Sequence, residues 1–189
     1  MKRSKKVVFV PFCLLAQGFR AEGIVKKFPA IVKPVIDLLE EYQINIVQMP
    51  CPELEYEGIK RKPAGKARYD NETYRKICKK YANQIVSFIE DLIKNEYEIS
   101  AILGIENSPS CAVNYLFEKG KRVKGYGVYI EELKKKLEEK EFDIPFLGVD
   151  IYGINKTISE LKEILGNEVG LLKYIRRQKD YNGENNLRG

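Results

Sequence analysis

Four cysteines and no histidine bound the chemistry open to this chain. Three of the cysteines share a setting, a few residues past an apolar run that reads as a strand. Val7-Val8-Phe9-Val10 leads to Pro11-Phe12-Cys13, and Ile44-Asn45-Ile46-Val47 leads to Gln48-Met49-Pro50-Cys51. Ile99-Ser100-Ala101-Ile102-Leu103 leads through Gly104-Ile105-Glu106-Asn107-Ser108-Pro109-Ser110 to Cys111. In a parallel α/β sheet, ligands bind in the crevice outside the carboxyl ends of the strands. Cys13, Cys51 and Cys111 are therefore expected to meet in one site.

Thiolates bind soft metals: zinc, copper(I) or iron–sulfur clusters. A structural zinc site takes four ligands, commonly in close Cys-x-x-Cys pairs, and the chain has no such pair. A [4Fe–4S] cluster normally takes four thiolates. With three, one iron keeps an open position and can act on a substrate atom as a Lewis acid. The fourth cysteine, Cys78, lies between Tyr74 and Tyr81 at helical spacing and reads as a small buried hydrophobe. Without histidine, any general base must be a carboxylate or a hydroxyl.

The elements that must position these residues alternate between strand and helix. Ala30 to Tyr42 carries Ile31, Val35, Leu38 and Leu39 at helical spacing, with Pro34 near its start, where proline is tolerated. Asp70 to Asn95 is the strongest helix, capped by Asp70 or Asn71, with a stripe of Tyr74, Ile77, Cys78, Tyr81, Ile85, Phe88, Ile89 and Leu92. Tyr129 to Lys140 and Thr157 to Leu165 complete the helices, and Ile144 to Asp150 reads as a fourth strand. Asp150, at its end, is a helix cap or a pocket residue. Pro52 to Tyr69 is predicted to be an irregular connection, of the length that serves as a lid or binding loop. Val113 to Phe117 opens a helix or a strand, and Gly120 to Gly127 is a basic loop. The fold class expected is α/β: a single-domain, Rossmann-like or flavodoxin-like open parallel sheet with helices on both faces. The domain is expected over residues 1–175, with a polar, flexible tail at 176–189.

The 189 residues suit one domain, and 44% hydrophobic with 32% charged residues is an ordinary globular composition. No apolar run approaches the ~18 residues of a membrane span, so no membrane partner is expected. The basic start, Met1 to Lys6, precedes apolar residues as an export signal does. Pro11 interrupts that run, however, and no small-residue cleavage site follows before Arg20, so the stretch is predicted to be the first strand of a cytoplasmic protein. The net charge of +6 sits largely in mixed-sign helices, whose usual meaning is a solvated face. The loop Lys119-Gly120-Lys121-Arg122-Val123-Lys124 keeps nucleic acid open without favouring it.

The same residues resemble the TudS-type desulfidases, a family that includes 2-thiouracil desulfurase. Cys13-Leu14-Leu15 with Arg20-Ala21-Glu22-Gly23 resembles the family's Cys-Leu-Leu-Gly segment and its downstream Arg-Tyr-Asp-Gly. Cys51-Pro52-Glu53 resembles its Cys-Pro-Glu, and Gly58 and Arg61 fall where a Gly-Leu-x-x-Arg segment follows. Ser108-Pro109-Ser110-Cys111 matches its Ser-Pro-Ser-Cys, the most specific piece. The resemblance spans roughly residues 7 to 155. It departs at Ala16 and Ala112, where the family favours Gly, at Ala21 for Tyr and at Glu22 for Asp. These departures are expected to line the pocket and to bear on the substrate more than on the cluster.

The resemblance implies a [4Fe–4S] cluster held by Cys13, Cys51 and Cys111 and the non-redox removal of sulfur, as hydrogen sulfide, from a small thiolated substrate such as a thiopyrimidine base or nucleoside. Glu53 is the first choice for the base, with Glu22 and Glu106 behind it. Ser108 and Ser110 would bind substrate or relay a proton, and Arg20 and Arg61 would orient substrate or steady the carboxylates. Plainer roles stand beside these: Glu53 as a cap or surface partner, and the two serines as loop formers. Rival readings of the whole chain are a non-catalytic iron–sulfur sensor or sulfide carrier, a desulfidase acting on thiolated tRNA, and a zinc-stabilised or metal-free α/β domain.

Overall fold

A computed structural model describes residues 3–166. The chain runs through β1 (Lys6–Pro11), α1 (Phe12–Leu15), a 3-10 turn (Gln17–Phe19), α2 (Lys33–Glu41), β2 (Asn45–Met49), α3 (Pro52–Glu57), α4 (Lys66–Tyr69) and α5 (Glu72–Lys94). It continues through β3 (Glu98–Ile105), β4 (Tyr115–Glu118), β5 (Lys121–Lys124), α6 (Val128–Glu139), β6 (Phe146–Val149) and α7 (Ile154–Gly166). Four strands form a parallel sheet in the order β2-β1-β3-β6, and β4 and β5 form a separate antiparallel hairpin. The predicted α/β sheet is thus present.

Burial on both faces explains the apolar runs. Val7 and Phe9 of β1 pack with α5 and α6, whereas Val8 and Val10 pack with α2 and α7. Right-handed crossovers dictate this division: the step from β1 to β2 runs opposite to the steps from β2 to β3 and from β3 to β6, so its helix lies on the other face. The chain leaves β1 and its neighbour β3 in opposite directions, which makes the gap between them the topological switch point.

The helices start where the sequence signals place them. Pro34 falls in the first turn of α2, and the Asn71 side chain caps α5 by accepting from Tyr74 N at 3.0 Å. The buried stripe of α5 is Tyr74, Cys78, Ala82, Ile85, Val86 and Ile89. Ile77 is only half-buried and Phe88 is exposed, its ring set edge-on to Phe9 at 6.2 Å. Small Ala82 faces inward on the face of α5 buried in the same cluster as α6 residues. Arg75 binds Glu132 (2.6 Å) and Glu131 (2.9 Å), fastening α5 to α6.

One sequence expectation is overturned and another is resolved. The connection 52–69 holds α3 and α4 instead of being irregular, fixed by Tyr56 and Tyr69 packing against Tyr74. Of the helix and strand open to 113–117, the strand forms, as β4, and part of the expected loop 120–127 pairs with it as β5. The predicted tail at 176–189 lies outside the described residues.

The loop bearing Cys111 is wedged between two glycines. A methyl on Gly104 would meet the Cys111 carbonyl oxygen and come within 2.6 Å of Val113 Cγ2. One on Gly127 would strike the Ser110 carbonyl and approach Cys111 N at 2.6 Å. The Gly127 backbone is ordinary for any residue (φ −69°), so only space requires glycine there. Gly127→Ala should destabilise the fold by about 1–3 kcal/mol, read as a lower denaturation midpoint with an unchanged slope.

Candidate functional site

The three adjacent strands β2, β1 and β3 each deliver their cysteine through a different local structure. Cys13 lies in the helical turn α1 directly after β1, and Cys51 is the residue from which α3 departs, followed by Pro52 in the first turn. Cys111 closes a tight turn after β3. That turn begins at Asn107, whose φ of 66° is left-handed, a conformation asparagine tolerates. The Ser108 hydroxyl then accepts from Ser110 N (3.2 Å) and Cys111 N (3.0 Å). The turn's carbonyls cap α6: Pro109 O accepts from Val128 N (2.9 Å), and Ser110 O accepts from Tyr129 N (3.0 Å) and Ile130 N (3.2 Å). These carbonyls satisfy helix-start donors that no side chain caps.

Cys13, Cys51 and Cys111 all line one cavity of about 740 Å³ at the carboxyl end of the sheet. Cys78 is fully buried on α5, away from that lining. Among the described residues, no three His, Cys, Asp or Glu side chains are gathered so as to hold a single metal ion.

Glu53, Arg61 and Ser108 stand on the cavity wall as one hydrogen-bonded unit. Arg61 Nε donates to Glu53 Oε2 (3.2 Å) and its NH1 donates to Gly58 O (3.2 Å). The Ser108 hydroxyl donates to Glu53 Oε1 (3.2 Å). Arg61 is 5% exposed, so the pair is a buried one in which either partner alone would be an uncompensated charge. Arg20 also lines the cavity, reaching Gln17 Oε1 at 3.4 Å.

The remaining sequence candidates are placed differently. Glu106 lines the cavity, but its carboxylate accepts from Asn114 N, Asn114 Nδ2 (2.9 Å) and Tyr115 N (2.7 Å), which ties β3 to the hairpin. Burial raises its pKa, against the pull of those donors. Glu22 is exposed and outside the lining, held only through its backbone N–H on Arg61 O (2.9 Å). Ser110 is fully buried behind Cys111, and its hydroxyl accepts from Tyr74 (2.7 Å). Of the four departures from the desulfidase pattern, only Ala21 lines the cavity. Asp150 caps the turn before α7, accepting from Tyr152 N (3.0 Å) and Gly153 N (3.2 Å), and also pairs with Arg122 of the hairpin at 3.1 Å.

Sequence reasoning did not find Lys26, Asn107 or the hairpin's Phe117 on the lining. Asn107 has a buried amide oxygen without a protein donor, and an asparagine directly before Ser108-Pro109, a turn-forming pattern, was the available signal. Nothing in the sequence marked Lys26 or Phe117.

No family model matches the chain. It is 31% identical over 137 residues to the uncharacterized protein MJ0003 of Methanocaldococcus jannaschii, an alignment covering 72% of this chain and 81% of that one. Among solved structures it is similar to a [4Fe-4S]-dependent thiouracil desulfidase, TudS. That match has 18% identity over 83% of this chain and 98% of that one, with a TM-score of 0.47.

Burial governs the three thiols, and each has a group working against it. Desolvation pushes Cys13 from an ordinary 9.0 up to about 12, opposed by Arg20 and reinforced by Cys51 and Glu53. Cys51 is raised by burial and by Glu53, opposed by the Leu54 N–H and Arg61. Cys111 is raised well above the ordinary value, by burial and then by Cys13, Cys51 and Glu53, opposed by the Ser110 hydroxyl. The thiols therefore feel one another's charge. In the metal-free protein, an acid whose folded pKa is raised keeps its proton where the unfolded chain has lost it, so folding weakens as pH rises. The unfolding free energy of metal-free protein should fall as pH passes 9 and keep falling toward the Cys13 value of about 12. Denaturant melts of Cys13→Ala should show a shallower fall.

Proposed function

The chain belongs to the same family as the uncharacterized protein MJ0003, and we propose that it is an iron–sulfur-dependent desulfidase that removes sulfur from a small thiolated compound. The observation that carries this reading is one cavity lined by three thiols together with the hydrogen-bonded Glu53 and Ser108. The Ser-Pro-Ser-Cys and Cys-Pro-Glu motifs shared with the desulfidases supply the same residues.

The donor set suits a [4Fe–4S] cluster. Three soft sulfur donors share a buried wall, each with an opposing group that favours its thiolate, and the fourth cysteine lies elsewhere. A cluster does not require three donors gathered around one ion, because it distributes its thiolates over different irons. Cys13, Cys51 and Cys111 would hold it. When bound, it supplies a Lewis-acidic iron that polarises the carbon–sulfur bond of a thiocarbonyl.

The protein's own residues handle the proton and the placement. Arg61 holds one oxygen of Glu53, which leaves the other facing Ser108. A water beside Ser108 passes a proton through that hydroxyl to Glu53 as its oxygen bonds to the thiocarbonyl carbon. The carbon keeps the oxygen, and the sulfur departs with two protons as hydrogen sulfide. C=S and water thus become C=O and hydrogen sulfide with no net electron transfer. Five basic residues, Arg20, Lys26, Arg61, Lys119 and Arg122, line the cavity with two carboxylates, Glu53 and Glu106, a balance that favours an electron-rich substrate.

Anaerobically reconstituted protein should release sulfide from 2-thiouracil, 4-thiouracil or a related thiobase. Glu53→Gln should lower that rate about 10²–10⁴-fold with iron content unchanged, and Cys111→Ala should lose the cluster. A fully loaded wild-type protein that releases no sulfide from any thiobase, thioamide or thiolated tRNA would defeat the desulfidase reading in favour of a sensor or carrier.

A further inference from the structure

We propose that Phe117 and Tyr152 are specificity-determining residues, two aromatic rings at the mouth of the cavity that stack on a flat, conjugated substrate ring and leave its sulfur-bearing edge to point inward. The inference rests on the desulfidase reading above and adds which thiolated compounds the site prefers.

Among the described residues, Phe117 (53% exposed) and Tyr152 (66%) are the two exposed large apolar side chains that line the cavity. The lining at the thiols is of the opposite kind, with Cys111 and Arg61 only 6% and 5% exposed. Exposure thus places the thiols at the closed end and the two rings at the rim. One aromatic side chain on a protein surface carries no meaning by itself. These two come from separate elements, β4 and the turn between β6 and α7, and reach the same opening.

One carboxylate ties their supports together. Phe117 stands opposite Arg122 in the hairpin register, and residues directly opposite in an antiparallel pair project from the same face. Arg122 pairs with Asp150 at 3.1 Å, and Asp150 also accepts from Tyr152 N at 3.0 Å. The backbones that carry the rings are therefore linked before any substrate arrives, which lowers the ordering cost of binding.

Flat apolar faces suit flat ligands. Aromatic side chains stack on the π-face of a heterocycle whatever its edge groups are. In a conjugated ring the exocyclic sulfur lies in the ring plane, so contacts to the faces leave that edge free to turn toward the thiols. A saturated ring or an aliphatic thioamide has no such face to offer.

The test pairs 2-thiouracil or 4-thiouracil, whichever is turned over, with its 5,6-dihydro form. The dihydro compound keeps the thioamide and the ring N–H groups but has two tetrahedral carbons and no conjugated face. Wild type, Phe117→Ala, Tyr152→Ala and Tyr152→Phe are reconstituted anaerobically, and kcat/KM is measured on both compounds. Each alanine variant should lower kcat/KM about 5–100-fold on the conjugated base and less than about 2-fold on the dihydro form. Tyr152→Phe should keep the wild-type ratio, because the ring alone acts. Equilibrium dialysis against uracil and dihydrouracil, with reconstituted and with metal-free protein, should show tighter retention of uracil by wild type and loss of that preference in both alanine variants. Equal losses on the two compounds, or none, would overturn the inference and leave the desulfidase reading standing. Loaded wild type that releases no sulfide would defeat the desulfidase reading, and dialysis then decides the ring contacts: equal retention of uracil and dihydrouracil would overturn them too. Should one alanine variant fail to fold, the other decides alone.

Discussion

The turn from Ser108 to Cys111 is bonded in both directions, and the site depends on it. Its N–H groups are collected by the Ser108 hydroxyl, and its carbonyls cap α6. A short loop with its polar groups met on both sides has little freedom to relax, since moving it would strand helix-start donors and turn amides together. Gly104 and Gly127 remove the side chains that would push it aside. Cys111 is thus held at a fixed depth, while Ser108 keeps its proton free for Glu53. One residue serves as both fold and chemistry.

The site also sets charge against burial. Burial of three thiols on one cavity wall resists their ionisation, and each meets a different remedy: Arg20, Arg61 with nearby backbone amides, or Ser110. Arg61 has two duties, since the guanidinium that opposes the Cys51 shift also clamps Glu53. Removing it would leave a buried carboxylate beside a buried thiol, which is why so long a side chain is kept out of solvent.

Much of this was legible in the residues, for physical reasons. The strands showed because both faces of a parallel sheet are covered, which makes their runs continuously apolar. The shared edge of the cysteines followed from strand direction alone. The two short helices in 52–69 were not legible: six and four residues carry no periodicity, and tyrosine packing across α5 fixes them. The hairpin was hidden because only Leu116 of its eight residues is buried, so alternation had almost nothing to mark. Glu22 and Ser110 show the limit of motif reading. Both belong to stretches that resemble a desulfidase, yet one faces water and the other faces a tyrosine. Adjacency in sequence does not choose which way a side chain turns.

The hairpin's Arg122 pairs with Asp150, at the turn before α7, and is also stacked over Tyr115 at 4.2 Å. Partly exposed pairs of this kind contribute roughly 1 kcal/mol or less. The hairpin is held elsewhere as well, by Glu106 on Asn114 and Tyr115 and by Glu118 on the Lys66 N–H, so the rim above the thiols is pinned at several separate points.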